Sequence, residues 1–410
     1  HNHLRPQIEH RWRAEISNGY SSPTVAEGRV YIMDRVLEPD KLERVLCFDA
    51  DTGKALWVHE YPSKYSVAYP DGPRAAVTIN DGRAYSLGTM GHLRCLDAET
   101  GNVIWEKNPG TDYTIQKPSY GVATSPIVEG DLLIIQIGEN PDGCIVAWDK
   151  ATGEERWRAL EDSVSYSSPV VVGPAGQRIL ICWTGNNIVG LDPSTGEVFW
   201  KVETPSSRGI INIADPVVDG DRLYLSSFYD GSFMFRLVHD SKSVESVWRR
   251  AGRNERRTEA LHSINSTPTI WKDSIYGVDS HGEFRGLDIT NGDRRWEDLT
   301  IVPRSRWATV HIVRNGDRHW LFNEQGELII AELTPQGLNQ ISRARLINPT
   351  EGQYAGTFSA VQKASEKEAQ GPAAMFTNET GVVWSHPAYA NKHVFIRNDN
   401  WLICADLSQR

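Results

Sequence analysis

The sequence predicts an all-β protein: an eight-bladed β-propeller of four-stranded antiparallel blades. Three observations predict it. A phrase recurs along the chain, short apolar runs separate its copies, and a tryptophan ends most of them. CFDADTGKALW (47–57) and CLDAETGNVIW (95–105) match in spacing without a gap, and WDKATGEERW, LDPSTGEVFW and LDITNGDRRW carry the phrase to Trp157, Trp200 and Trp296. Self-similarity at about 45–50 residues marks a repeat architecture.

Each unit resolves into four strands. In YSSPTVAEGRVYIMD (20–34) an apolar run, an EG turn and a second apolar run follow one another; VLCFD is a third run, ADTGK a turn and ALWVHEY a fourth. The runs are β-branched or aromatic and bounded by Gly, Asp or Asn. The turns NDGR (80–83), VEGD (128–131) and VDGD (218–221) fall between first and second strands, with residues that accept the positive φ of tight hairpins. The units run over 20–61, 74–108, 121–160, 166–204, 212–250, 263–300, 307–347 and 382–407. The fifth keeps Trp248 but not the Asp-Gly phrase. The seventh keeps Gly337 and places Ile341 where the Trp belongs. The eighth stops after its third strand, and HRWRAEI near the start supplies the fourth, with Trp12 in the Trp column. Pairing the two chain ends closes the ring and removes open sheet edges. The whole of 1–410 is then one domain, with an insertion over 348–381 between the seventh and eighth blades. Seven blades plus an odd segment is the competing count.

The phrase reads as a staple. Asp and Thr or Ser can bond turn backbone, Gly takes the left-handed position, and the Trp packs between blades. Trp12, Trp57, Trp105, Trp157, Trp200, Trp248 and Trp296 are the expected docking residues, each worth about 3–5 kcal/mol against Ala when buried. Cys47, Cys95 and Cys404 lie two residues before an Asp, where other units have Ala147, Gly190 and Gly286. That column wants a small core residue. The five cysteines contain no C-x-x-C and no adjacent pair, so they suggest neither a metal nor a redox motif.

Composition removes some functions. The net charge of −10 argues against a nucleic-acid partner, because nothing global would neutralise phosphates. The longest apolar runs, such as LLIIQI (132–137), fall far short of a bilayer span. The opening HNHLRPQIEH has no apolar core region, so any export signal is expected to have been removed or left out.

Topology then selects a face. First-to-second and third-to-fourth strand connections are short and share one face. The others, 36–44, 62–73, 108–121, 250–263 and 348–381, are long and share the opposite face. Long loops on a rigid scaffold are where binding sites are built. The residues just ahead of each first strand line the channel mouth there: Arg74, Tyr120, Tyr166, Asn212, Asp215, His262, Asn265, Arg306, Trp307, Trp384 and His386. Aromatic faces with Arg and His suit a planar anion, although polar residues line any water-filled propeller channel. Asp215 replaces the Ser of Ser22-Pro, Ser125-Pro and Ser168-Pro and is the one candidate general base. The Arg-rich stretch RRAGRNERR (249–257) reads as a solvated loop or an anion contact. SAVQKASEKEAQ (359–370) reads as a short helix or plain insertion, and Asn378-Glu-Thr fits a glycosylation sequon.

The D-x-x-T-G-x-x-x-W phrase in eight units resembles the pyrroloquinoline-quinone (PQQ)-type propeller repeat. The resemblance covers nearly the whole chain outside 348–381. It implies either of two functions: a quinoprotein alcohol dehydrogenase with PQQ and Ca2+ at the channel mouth, or a cofactor-free scaffold like the propeller lipoprotein of the outer-membrane β-barrel assembly machinery. Compact propellers labelled polyvinyl-alcohol dehydrogenase-like are similar too. The adjacent-cysteine pair of many such dehydrogenases and the C-x-x-C-H of cytochrome domains are missing here. The expectation is an exported, periplasmic or otherwise extracytoplasmic bacterial propeller that holds a protein or polysaccharide on its long-loop face. A PQQ-dependent alcohol oxidoreductase is the alternative.

Overall fold

A computed structural model describes residues 8–67, 72–108, 118–138, 143–238, 240–350 and 381–408. Most of the 348–381 insertion, with 359–370 and Asn378, lies outside them. The first blade shows how each is built: β2 (Thr24–Ala26), β3 (Arg29–Val36), β4 (Leu42–Asp49) and β5 (Ala55–Pro62) form one sheet in chain order. Six further four-stranded sheets follow the same order over 78–107, 127–159, 170–203, 217–250, 269–298 and 310–345. The eighth combines both chain ends. Its strands Ala388–Ala390, His393–Arg397 and Trp401–Asp406 are completed by β1 (His10–Glu15), with Trp12 opposite Cys404. The chain is an eight-bladed propeller closed as its sequence predicts.

The repeated phrase folds as the third-to-fourth strand hairpin. Asp49 Oδ1 accepts from the Thr52 N–H at 2.8 Å and the Thr52 hydroxyl at 2.7 Å, and Gly53 takes φ +71°, where a Cβ is costly. These bonds, the hydroxyl foremost, hold the Asp49 carboxyl below its ordinary range. The corresponding Asp288 is lowered to about 2, chiefly by the Thr290 hydroxyl.

Each glycine makes room for the preceding blade's tryptophan. A Cβ on Gly53 would lie 2.5 Å from Trp12, on Gly101 2.7 Å from Trp57, on Gly153 2.8 Å from Trp105, on Gly196 2.5 Å from Trp157 and on Gly292 2.7 Å from Trp248. The indole N–H donates into the same hairpin: Trp12 to Ala50, Trp57 to Ala98, Trp105 to Lys150, Trp157 to Pro193, Trp248 to Ile289 and Trp296 to Thr334, all at 2.9–3.2 Å. Trp200 is the exception. The fifth blade replaces the phrase with longer strands, Gly231–Val238 and Ser243–Arg250, and the Trp200 Nε1 is buried with no hydrogen-bond partner among the described residues.

Two expectations shift. In the seventh blade Ser342, not Ile341, stands opposite Ile330, where Trp57 stands opposite Cys47 in the first. Both blades bulge at this point; what differs is the hairpin, which in the seventh blade pairs on as far as Thr334 opposite Gly337, so Gly337 is not the counterpart of Gly53. The connection 36–44 is mostly strand, because β3 and β4 pair as far as Val36 opposite Leu42. The long Val30–Val36 run simply continues the ladder.

All five cysteines are buried and unpaired with one another. Burial pushes the thiols of Cys47 and Cys404 up to about 12 and Cys95 to about 11, so they are poor nucleophiles. Cys47 and Cys95 face the tryptophan of their own blade. At Gly190 and Gly286 a Cβ would meet that ring at 2.2 and 2.4 Å, which keeps those two positions small. The column is not small throughout: the fifth blade places Met234 there, opposite Trp248, and the seventh Ile330, opposite Ser342.

Candidate ligand cavity at the axial channel

The first strands of neighbouring blades touch and form the innermost wall: β2 contacts both Thr78–Asn80 and Ala388–Ala390. Just outside them runs a belt of hydrogen bonds from blade to blade. The Ala76 N–H donates to Ser125 Oγ, the Ser125 N–H to Ser168 Oγ, the Ser168 N–H to Asp215 Oδ1, the Asp215 N–H to Thr267 Oγ1 and the His386 N–H to Ser22 Oγ. Asp215 thus does in this belt what Ser and Thr oxygens do elsewhere. Burial raises its pKa to about 6, against the stabilising Ser168 N–H.

Two residues ahead of the belt, each blade contributes one side chain to a cavity of about 240 Å³. They are Tyr20, Arg74, Ala123, Tyr166, Ile213, Asn265, Trp307 and Trp384; Tyr120, Ile211, Tyr229 and Ile264 complete the lining. Arg74 lies over the Tyr20 ring at 4.9 Å and donates to the Gly72 carbonyl at 2.7 Å. Tyr20 stacks on Trp384 at 6.2 Å, and Tyr120 meets Tyr166 edge-on at 5.5 Å. Burial raises both of those phenols, Tyr166 to about 12, so both are neutral at physiological pH. Among the described residues lining the cavity, Arg74 is the only charged one.

The wall is braced from behind. Trp307 has φ +70°, a strained conformation for a bulky residue. Its N–H donates to the Ser280 carbonyl at 2.9 Å, and the Arg306 guanidinium lies 4.7 Å from its ring centroid. Arg306 pairs with Glu255 at 3.0 Å and donates to the Tyr229 hydroxyl at 3.4 Å, tying the 251–262 loop to the cavity rim.

Of the residues expected from sequence, Arg74, Tyr120, Tyr166, Asn265, Trp307 and Trp384 line one cavity. The others stand behind it. Asn212 Nδ2 donates to the Thr184 carbonyl. His262 is buried, with Nδ1 2.9 Å from the Phe228 carbonyl and Nε2 accepting from the Gly252 N–H. His386 packs 4.7 Å from the His311 ring. Burial depresses all three imidazoles, so they are neutral. Tyr20, Tyr229 and the isoleucines were not anticipated. Tyr20 was legible, since YSSP stands at 20–23 as at 166–169. Ala123 and Ile213 share its column but are apolar. Tyr229 comes from a second-to-third strand hairpin and carries no repeat signal.

Sequence comparison supplies the family. The profile of the outer membrane protein assembly factor BamB family matches residues 42–298. The chain belongs to that family. BamB of Burkholderia pseudomallei (strain K96243) is 26% identical over 307 residues, 72% of this chain and 71% of that protein. BamB of Salmonella typhimurium is 26% identical over 167 residues, 41% of this chain and 36% of that protein. The structure of BamB from Moraxella catarrhalis superposes with a TM-score of 0.63 at 16% identity, covering 97% of this chain and 99% of that one. Quinohemoprotein alcohol dehydrogenase from Comamonas testosteroni superposes with 0.61 at 13% identity, covering 99% of this chain and 77% of that enzyme. These superpositions establish a shared fold.

PQQ is a flat tricyclic tricarboxylate, and the Ca2+ expected with it needs a set of oxygen ligands. Among the described residues the cavity offers one guanidinium, one side-chain amide and no carboxylate. Among the described residues no group of three or more His, Cys, Asp or Glu is placed to hold a metal ion. The donor set does not fit the quinone with its cation. Among the described residues no helix is long and apolar enough to cross a membrane.

Proposed function

We propose that this chain is an extracytoplasmic scaffold in outer membrane protein assembly that holds a protein partner on its long-loop face. The observation that carries this reading is the cavity built by one residue from each of eight blades. A site assembled symmetrically from the whole ring, aromatic in character and poor in ionisable groups, suits recognition more than proton transfer or redox chemistry. Membership of the BamB family supports the assembly context. The rim of 251–262 and 299–309, tied together through Arg306 and Glu255, supplies a rigid platform around it.

A photocrosslinking amino acid tests the face. It would replace Asp40, Lys64 or Arg256 among the exposed residues of the long-loop side, or Asp51, Glu99 or Ala151 in the hairpins of the opposite side. The reading predicts protein adducts in cells from the first set and none from the second. Adducts confined to the second set would overturn it. In parallel, purified chain mixed with PQQ and Ca2+ should show no melting shift and no dye reduction with simple alcohols.

A further inference from the structure

We infer that the channel-mouth cavity binds a monoanionic aryl group, one aromatic ring carrying one carboxylate, and that Arg74 selects the carboxylate. This deepens the scaffold reading and rests on the cavity being its binding site. Four observations point the same way. The lining is dominated by aromatic rings and isoleucine: Tyr20, Tyr120, Tyr166, Tyr229, Trp307 and Trp384 surround Ile211, Ile213 and Ile264. The volume of about 240 Å³ lies below the roughly 300–1,000 Å³ of drug-sized sites, which suits a single ring with a short chain. The one charged residue among the described lining residues is cationic, and a carboxylate matches a guanidinium's fork of donors. The cation is held in place, by the Gly72 carbonyl and by the Tyr20 ring that stacks on Trp384, so an anion pairing with it pays little ordering cost.

The same wall argues against other ligands. A cation would be repelled by Arg74, and no carboxylate stands among the described lining residues to offset it. A multiply charged anion would leave its further charges unpaired in a largely apolar bowl. Two sources share the inferred chemistry: the aromatic C-terminal residue of a protein, and a free aryl carboxylic acid.

Isothermal titration of the full chain with N-acetylphenylalanine and with its carboxamide tests the inference. The acid should bind saturably and about tenfold or more tighter than the amide, and Arg74→Gln should abolish the difference. Equal affinities, no saturable heat, or a preference that survives Arg74→Gln would overturn it. Should Arg74→Gln fail to fold, Ala123→Leu narrows the cavity from a different blade and must weaken binding of the acid; unchanged affinity there is equally fatal. A hexapeptide ending in free phenylalanine and 3-phenylpropionate separate the sources, since a chain-end site prefers the first and a metabolite site the second. The outcomes also separate this inference from the scaffold reading. Binding of the acid with crosslinks only on the opposite face would retain the site and remove the scaffold reading. Long-loop crosslinks without binding of the acid would do the reverse.

Discussion

Gly153 and Gly82 both hold left-handed backbone, at φ +72° and +70°, but their surroundings differ. A Cβ on Gly82 meets nothing within 4 Å, while one on Gly153 lies 2.8 Å from Trp105. Gly82→Ala should therefore cost about 1–2 kcal/mol, the price of the backbone alone. Gly153→Ala should cost about 2–4 kcal/mol, because the indole must also move. Urea unfolding of the two variants checks the difference. At the same scale, Asp215 has its pKa raised to about 6 by burial. Its contribution to stability is fully present below the unfolded carboxyl range and is lost as pH rises toward 6. Asp215→Asn can still accept from the Ser168 N–H. The wild-type chain should lose stability relative to that variant between about pH 4 and 6 and keep a constant difference above. Denaturation across that range measures it, and a flat difference would show that Asp215 is not desolvated.

Strands and hairpins carry the next set of consequences. Trp157 donates to the Pro193 carbonyl at 3.2 Å, whereas the Trp200 Nε1 is buried without an acceptor among the described residues. Trp→Phe at 157 should therefore cost about 1 kcal/mol more than at 200, read from the paired denaturation midpoints. The blade architecture was legible because its determinants are local: a turn with Asp, Thr and Gly, then a Trp at fixed spacing, each read without tertiary context. Ser342 was not legible, because the seventh hairpin pairs as far as Thr334 opposite Gly337, and the length of a ladder is decided by how two strands meet. The cavity was half legible. Arg74, Tyr166, Asn265, Trp307 and Trp384 follow from their place ahead of a first strand. Tyr229 reaches the same cavity from another connection, and Asn212 and His262 turn inward to brace backbone, which chain position cannot reveal.

For the molecule as a whole, the ring stands or falls on the joint between its ends. The eighth blade needs β1, and one cluster joins Trp12, Phe395 and Leu402 to Val30, Ile32 and Leu46 of the first blade. Arg397 is buried there and donates to the carbonyls of Met33, Ser17 and Asn398. Arg397→Met should cost about 2–4 kcal/mol, because buried carbonyls lose their donor. The loss should lower the midpoint of a single cooperative transition if the torus unfolds as one unit. A separate early transition would mean that the end blade opens independently. A closed torus also explains how eight separate loops can hold one small cavity, since each lining side chain is fixed by its own blade and by the belt beneath.

The central claim is that this cavity and its loop rim are the working surface. Hydroxyl-radical footprinting of the chain, alone and in its complex from cells, tests it most directly. The account predicts protection at Tyr20, Tyr229, Trp307 and Trp384 on complex formation, with Leu56, Val58 and Val198 on the outer strands unchanged. Protection of those outer strands with the cavity aromatics still reactive would contradict it.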